Sequence, residues 1–509
     1  MADYEKQMPQ VEKTSVSSYN EDDSAASDAQ VRDTKVNFFD RIAHKLNAET
    51  KGIELVTDEE KTDHSFWNLA TMWLSANLVI ATFSLGALGI TVFGLAFGQA
   101  VLVIIFFSAL GAFSVGFFST FGSALGLRQM LLSKFLIGDY GTRLFAAINC
   151  VACIGWGSVN IMSSAQLLHI VNNGALPPWA ACLILVFCTV IVTFFGYHVI
   201  HTYEKWSWIP NLIIFIIIIV RFAMSDKFHS ASFEGGRTTA GSVLSFGATV
   251  FGYATGWTTF SADYVVYHPR NSSPWKVFFS VYLGLLLPLW FILILGSACA
   301  TGIATDPEWT ELYNEHSVGG LVYAILVTKS LHGFGQFCCV VLALSTVANN
   351  IPNMYSMGLS AQTVWSKFRK IPRVFWTFVA NGATLAICIP AYYKFEAVMH
   401  NFMNLISYYL AIYESMMYSS HFIWHGGKMS SYDYESWDDK SAYPLGLAAI
   451  FGFACGVAGV VLGMNQTWYS GVLAKPIGDF GGDIGFELGF AFSFIGFNVA
   501  RYFEKKYIR

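Results

Sequence analysis

Phe251-Gly252-Tyr-Ala-Thr-Gly256-Trp257 interrupts an apolar run that extends from about 241 to 267, and Ser84-Leu-Gly86-Ala-Leu-Gly89 interrupts another from about 67 to 92. Lipid offers no hydrogen bonds, so irregular backbone at membrane depth is tolerated only around a cavity. Interrupted helices at matching positions of two five-helix halves are the signature of an inverted-repeat transporter, with its substrate held where the helices unwind. Glycine also serves simple close packing of membrane helices. The matched spacing of the two stretches, five spans apart, favours the breaks. Gly86, Gly89, Gly252 and Gly256 are therefore expected to mark them.

Working outward, runs long enough to cross a bilayer, about 20 largely apolar residues each, lie near 67–92, 98–126, 143–172, 179–204, 206–225, 241–267, 276–304, 333–365, 373–393, 397–424, 445–465 and 483–503. That makes twelve spans. The shorter apolar stretch 319–332, flanked by glycine, reads as an interfacial or re-entrant helix. The composition agrees: of 509 residues 54% are hydrophobic and only 13% charged, with a mean hydropathy of +0.48. Soluble proteins carry roughly 25% charged residues, so a soluble enzyme is excluded. With no basic domain, nucleic acid is no partner either. All nine cysteines fall in apolar runs, where cysteine acts as a small buried hydrophobe; neither a metal site nor a disulfide framework is expected.

Charge divides the chain. Residues 1–63 hold 15 acids and 8 bases, a net of −7, and the remaining residues carry a net of +3. We read 1–63 as an acidic, largely disordered tail, 64–424 as a ten-helix transport core, 425–503 as two additional spans and 504–509 as a short C-terminus. Within the tail, Phe38, Phe39, Ile42 and Leu46 share a helical spacing, suited to lying on a membrane surface or to a nascent helix without a partner. After residue 63, 16 of the 22 bases fall in the loops on one side of the twelve-span arrangement and in the C-terminal tail. The positive-inside rule then places both termini in the cytosol.

Polar residues inside spans are costly and mark function or interhelical bonding. Asn149, Cys153, Trp156, Asn160 and Ser163 follow steps of four and three along the third span, so they share a face. Asn149 reads equally well as interhelical glue. Trp156 with Asn160 one turn later places a flat aromatic face beside a group that both donates and accepts hydrogen bonds. In the eighth span, Ser345-Thr346-Val-Ala-Asn349-Asn350-Ile-Pro352-Asn353 sets three asparagines around a proline that cannot complete the helical ladder. A kink alone would need one such side chain, so these residues are expected to line a site. Two tryptophans, several amides and no Lys or Arg at mid-span suit a planar, uncharged heterocycle. Its faces would stack on indole rings while asparagines read its edge. A nucleobase is the natural candidate.

The sequence resembles the fungal purine–cytosine permeases of the nucleobase:cation symporter-1 family. The residues that carry the likeness are Leu46-Asn-Ala-Glu-Thr-Lys-Gly52, Ser75-Ala-Asn77, Gly155-Trp-Gly-Ser-Val-Asn160, Gly256-Trp-Thr-Thr-Phe-Ser-Ala-Asp-Tyr264 and Ala348-Asn-Asn-Ile-Pro-Asn353. The resemblance implies an all-α membrane protein with a LeuT-like five-plus-five inverted repeat and two added C-terminal helices. It further implies proton-coupled import of cytosine, adenine, guanine and hypoxanthine across the plasma membrane. Carried over residue by residue, it implies that Trp156 and Trp257 sandwich the base and that Asn160 binds its edge. It assigns recognition to Asn350, Pro352 and Asn353, and a site role to Ser75 in the first broken helix.

Coupling needs an ion site. Sodium-linked relatives would use hydroxyls such as Ser345 and Thr346, whereas protons need a titratable group within the bundle. Asp263 is the best placed by sequence, as a coupling group or as part of a gating or structural ion pair; Glu414 and Glu487 lie in spans ten and twelve. No cofactor beyond the coupling ion, expected to be H+, is implied. In the tail, Lys6 and Lys13 among Ser15, Ser17, Ser18 and Ser24 suit ubiquitin-dependent turnover triggered by phosphorylation. The competing function is a nutrient-sensing receptor that binds the same ligand without transport. No HExxH or GxSxG pattern supports an enzyme.

Overall fold

The computed structural model describes residues 52–195 and 197–508; the amphipathic 36–46 stretch and the tail lysines and serines lie outside them. Every one of the twelve apolar runs carries a helix. The first span is two half-helices, α1 (Phe66–Asn77) and α2 (Ile80–Thr91), bent by 56°. There follow α3 (Phe97–Leu125), α4 (Gln129–Val171), α5 (Pro178–Phe195), α6 (Tyr197–Met224) and α7 (Arg237–Thr255). A 3-10 segment, Thr258–Tyr264, extends α7 as the second broken span. Then come α8 (Pro274–Ala300), α9 (Pro307–Leu326), α10 (His332–Val364), α11 (Arg373–Ala391), α12 (Phe395–Ser419), α13 (Leu447–Gly463) and α14 (Gly485–Tyr507). The two-residue strands Asn465–Gln466 and Tyr469–Ser470 pair antiparallel; the fold is otherwise helical among the described residues. Phe106, Val151, Phe187 and Ile495 are each more than 60% exposed on outward faces, as lipid contact requires, while Trp73, Tyr253, Tyr264 and Tyr355 fill the interior.

The first break falls at Leu78–Val79, with Val79 extended (φ −135°, ψ 159°), and not at Gly86 or Gly89, which sit inside the regular helix α2. Side chains satisfy the backbone groups it frees. Asn77 Nδ2 donates to the Trp73 carbonyl at 2.8 Å, Thr82 Oγ1 donates to the Asn77 carbonyl at 2.8 Å, and the Ile80 N–H donates to Ser345 Oγ at 3.1 Å. The glycines serve packing instead. A Cβ at Gly86 would lie 2.0 Å from the Leu293 carbonyl oxygen of α8, and one at Gly89 would lie 2.8 Å from the Phe246 ring of α7. Gly252 is likewise interior to α7, where a Cβ would meet the Met403 carbonyl oxygen at 2.2 Å. Only Gly256, at the end of α7, sits where a span unwinds.

Two other boundaries differ from the sequence reading. Helix α4 begins at Gln129 with an added segment that ends at Gly138 (φ 77°), where a Cβ would strike Gly446 at 2.4 Å. The apolar 319–332 stretch belongs partly to α9, which starts earlier, at Pro307, and breaks at Ser317.

Residues 52–63, grouped by charge with the tail, are a strap across the face of the bundle where α14 ends. Ile53 and Val56 are buried, the Val56 N–H donates to the Gly126 carbonyl at 3.0 Å, and the Asp63 N–H donates to the Tyr267 carbonyl at 3.1 Å. Asp58 pairs with Arg270 at 3.1 Å and Glu54 with Arg369 at 3.9 Å. The acidic residues read as solvated tail are, in this stretch, counter-ions of basic loops. Lys61 donates to the Ser123 carbonyl at 2.7 Å. Burial first, and then the nearby Arg270 charge, lower its pKa from 10.5 to about 8. Between those values a released strap binds more protons than a seated one, so seating strengthens as pH rises from about 8 towards about 10.5 and is weakest below. Cleavage by a glutamate-specific protease at Glu59 or Glu60, normalised to a free peptide, is expected to slow across that range. Lys61→Met is expected to flatten the dependence; an unchanged slope would assign it to another group.

Candidate substrate site at the helix breaks

The unwound end of α7 meets the middle of α4. Trp156 and Trp257 face each other with ring centroids 6.5 Å apart and planes inclined by 23°. Both are held edge-on by other rings. Tyr253 and Phe402 pack against Trp156 at 5.3 and 5.8 Å, and Trp73 and Phe260 against Trp257 at 5.4 and 5.5 Å. Gly256 is what allows this approach, because a Cβ there would lie 2.5 Å from the Trp156 ring.

An amide network joins α4, α10 and α1 beside the rings. Asn160 Nδ2 donates to Asn349 Oδ1 at 2.6 Å and to Asn350 Oδ1 at 2.8 Å. Asn349 Nδ2 in turn donates to the Ala76 carbonyl at 2.6 Å, at the end of α1. Asn353 Nδ2 donates to the Cys153 carbonyl at 2.7 Å. Asn349 thus takes a supporting role, as its position beside Asn350, turned about 100° around the helix, leads one to expect. Among the buried polar atoms without a partner in the described residues are Trp156 Nε1, Trp257 Nε1, Asn160 Oδ1 and Asn353 Oδ1 of this cluster, with Trp73 Nε1 and Asn77 Oδ1 of α1 beside it. Buried polar atoms are nearly always paired. Unpaired donors and acceptors around a pair of facing rings suit a polar, planar partner.

The other candidates divide. Pro352 contributes its carbonyl, which accepts the Tyr264 hydroxyl at 2.7 Å. Ser75 is turned away from the indole pair and meets Ser207 Oγ of α6 at 2.5 Å. Thr346 Oγ1 pairs with Ser164 Oγ at 2.6 Å, and Ser345 is engaged at the first break. Asn149 bridges Thr259 and Ser360 at 2.7 and 2.9 Å, an interhelical bond. Asp263 accepts the Gln129 N–H at 2.8 Å. Arg128 donates to the Asp263 carbonyl at 2.5 Å and to the Tyr267 and Tyr355 hydroxyls at 3.1 and 3.2 Å. A surface groove of about 710 Å³ lies between α1 and α8 and is lined chiefly by apolar residues such as Phe66, Trp67, Trp275 and Phe279. It offers little to a polar ring.

Residues 55–485 match the family described as permease for cytosine/purines, uracil, thiamine, allantoin. The chain is 54% identical over 477 residues to purine-cytosine permease FCY2 of Saccharomyces cerevisiae, covering 93% of this chain and 89% of that protein. It is 46% identical over 470 residues to purine-cytosine permease fcyB of Emericella nidulans, covering 92% and 91%. Among solved structures, Mhp1, a nucleobase-cation-symport-1 family transporter in a closed conformation with bromovinylhydantoin bound, superposes with a TM-score of 0.67 at 14% identity. That match covers 90% of this chain and 95% of Mhp1. The fold is therefore that of an all-α membrane transporter, five-plus-five helices with two added.

Proposed function

The chain belongs to the family of permeases for cytosine and purines, uracil, thiamine and allantoin, and we propose that it imports cytosine, adenine, guanine and hypoxanthine together with protons by alternating access. It is a multi-pass membrane transporter, not an enzyme. The family favours transport over a nutrient-sensing receptor. The observation that carries the substrate reading is the indole pair and its unpaired polar atoms. Bases stack at roughly 3.4 Å, so rings on either side of an inserted base stand about 7 Å apart, and Trp156 and Trp257 stand at 6.5 Å. Asn160 Oδ1 and Asn353 Oδ1 would accept from ring or exocyclic N–H groups, and Asn350 would read the same edge. Pro352 shapes this part of α10. Ser75 acts through α1 rather than by touching the base.

The test is uptake of radiolabelled cytosine in cells lacking other carriers, with a competition panel of bases. Saturable, protonophore-sensitive uptake is expected; its absence would overturn the reading. We place the protein in the plasma membrane with both termini cytosolic, which makes the strap face the inner gate.

Asp263 and Arg128 fit a gate better than a proton carrier. They tie the start of α4 to the second broken span and to α10, so they would hold the cytosolic side shut. Asp263→Asn is expected to slow uptake several-fold while leaving the pH midpoint of transport where it was. A displaced midpoint would return Asp263 to the coupling path. We also propose that Lys6 and Lys13 carry ubiquitin that removes the transporter from the surface. Lys6→Arg with Lys13→Arg should lengthen its surface half-life, and an unchanged half-life would dismiss the idea.

A further inference from the structure

Glu204 is a buried carboxylate that the base site leaves unused. The apolar runs place it at the end of the fourth, beside Lys205, but it lies within α6, 0% exposed. Neither of its carboxylate oxygens has a hydrogen-bond partner among the described residues. The polar group that faces it is the Ser75 hydroxyl of α1, held at 2.5 Å by Ser207, which stands one turn along α6 from Glu204. The titratable groups around it among the described residues are phenols, Tyr203 next to it on α6 and Tyr264 of the second broken span. No lysine, arginine or histidine is hydrogen-bonded to it among the described residues.

An ionised carboxylate sealed in such a place, with no cation bonded to it among the described residues, costs several kcal/mol, and intramembrane carboxylates of this kind mark ion pathways. What gives this one leverage is the helix against which it is sealed. Ser75 and Ala76 are consecutive residues of α1. Ala76 is gripped by Asn349 and, through it, by Asn160 of the base site, while Ser75 is gripped at α6 beside Glu204. Base and ion would act on the same half-helix from two sides.

We propose that Glu204 is the proton-binding carboxylate that couples the ion gradient to movement of α1, an inference that rests on the proton-coupled reading above. With α1 seated against α6, Glu204 is the neutral acid. When α1 leaves, water reaches the carboxyl, its O–H bond breaks and the proton passes to that water. The bare carboxylate then opposes reseating of α1 until a proton returns to it.

The experiment compares wild type, Glu204→Gln and Glu204→Asp in two assays: exchange of labelled for unlabelled cytosine without a gradient, and accumulation driven by an imposed pH gradient. Glu204→Gln, permanently neutral, should exchange within about threefold of wild type yet accumulate at least about tenfold less, without response to a protonophore. Glu204→Asp, which keeps a carboxyl, should accumulate with a displaced pH profile. If Glu204→Gln accumulates like wild type and remains protonophore-sensitive, the inference falls while proton coupling stands. If Glu204→Gln is too damaged to exchange, Glu204→Asp decides, and its failure to accumulate also overturns the inference. A wild type that exchanges cytosine but ignores the pH gradient overturns proton coupling itself, and the role of Glu204 with it.

Discussion

Asn160→Ala is expected to abolish measurable uptake, a fall of at least about 100-fold in transport efficiency, while the protein still reaches the membrane. The magnitude follows from two losses. The base loses an acceptor in a buried site, and the Asn349 and Asn350 oxygens lose the amide that orients them at 2.6 and 2.8 Å. Leaving a buried polar group unpaired costs about 1–3 kcal/mol, and each 1.4 kcal/mol is about tenfold in affinity. Sites built to hydrogen-bond a substrate discriminate strongly for this reason. Packing should change little, because the side chain is small and α4 keeps its contacts elsewhere. The discriminating measurement is uptake per molecule at the surface. A Michaelis constant and maximal rate within threefold of wild type would remove Asn160 from the site. Loss of the protein from the membrane would instead make it a packing residue.

That prediction uses what was legible in the sequence and what was not. The twelve spans were legible because a bilayer imposes a length and a polarity that no other environment imposes. Trp156 and Asn160 were legible as neighbours because a step of four returns to the same face of a helix. Their partners were not, since nothing local says that α10 will stand opposite α4 or that Asn349 will reach Ala76. The first break is not caused by glycine. It is made by Asn77, Thr82 and Ser345, which replace lost backbone bonds from three different positions. Ser75 was carried into the site by resemblance, yet its rotation about α1 points it at α6. A charge beside Lys205 looks like a loop when the boundary between α5 and α6 is set nine residues too late, which hides Glu204. The strap was hidden by its own acidity, which solvent and the basic loops explain equally well until the loops are brought beneath it.

Gly86, which packs its helix rather than breaking it, carries the second large effect, of a different kind. Gly86→Ala is expected to deplete folded transporter at the surface by more than about tenfold, with the residual protein still binding substrate. The added Cβ would lie 2.0 Å from the Leu293 carbonyl oxygen and 2.7 Å from its Cα, and the facing Gly296 has the reciprocal relation, 2.1 Å from the Phe83 carbonyl oxygen. Both obstacles are backbone, so no rotamer change relieves them and α2 must move off α8. Overpacking of a core costs typically about 1–3 kcal/mol where side chains can yield, and here they cannot. Close backbone approach through small residues is how membrane helices gain their packing energy. Gly382→Ala in α11 is the matched control: a Cβ there meets nothing within 4 Å, so surface level and thermal midpoint should stay at wild-type values. The double variant Gly86→Ala with Gly296→Ala sharpens the test. Once the first methyl has parted the helices the second finds space already open, so the two costs should fall well short of additive, as expected for residues that share one contact. Strict additivity, or a Gly86→Ala protein with normal surface level and midpoint, would mean that the crossing of α2 and α8 is looser than these distances allow.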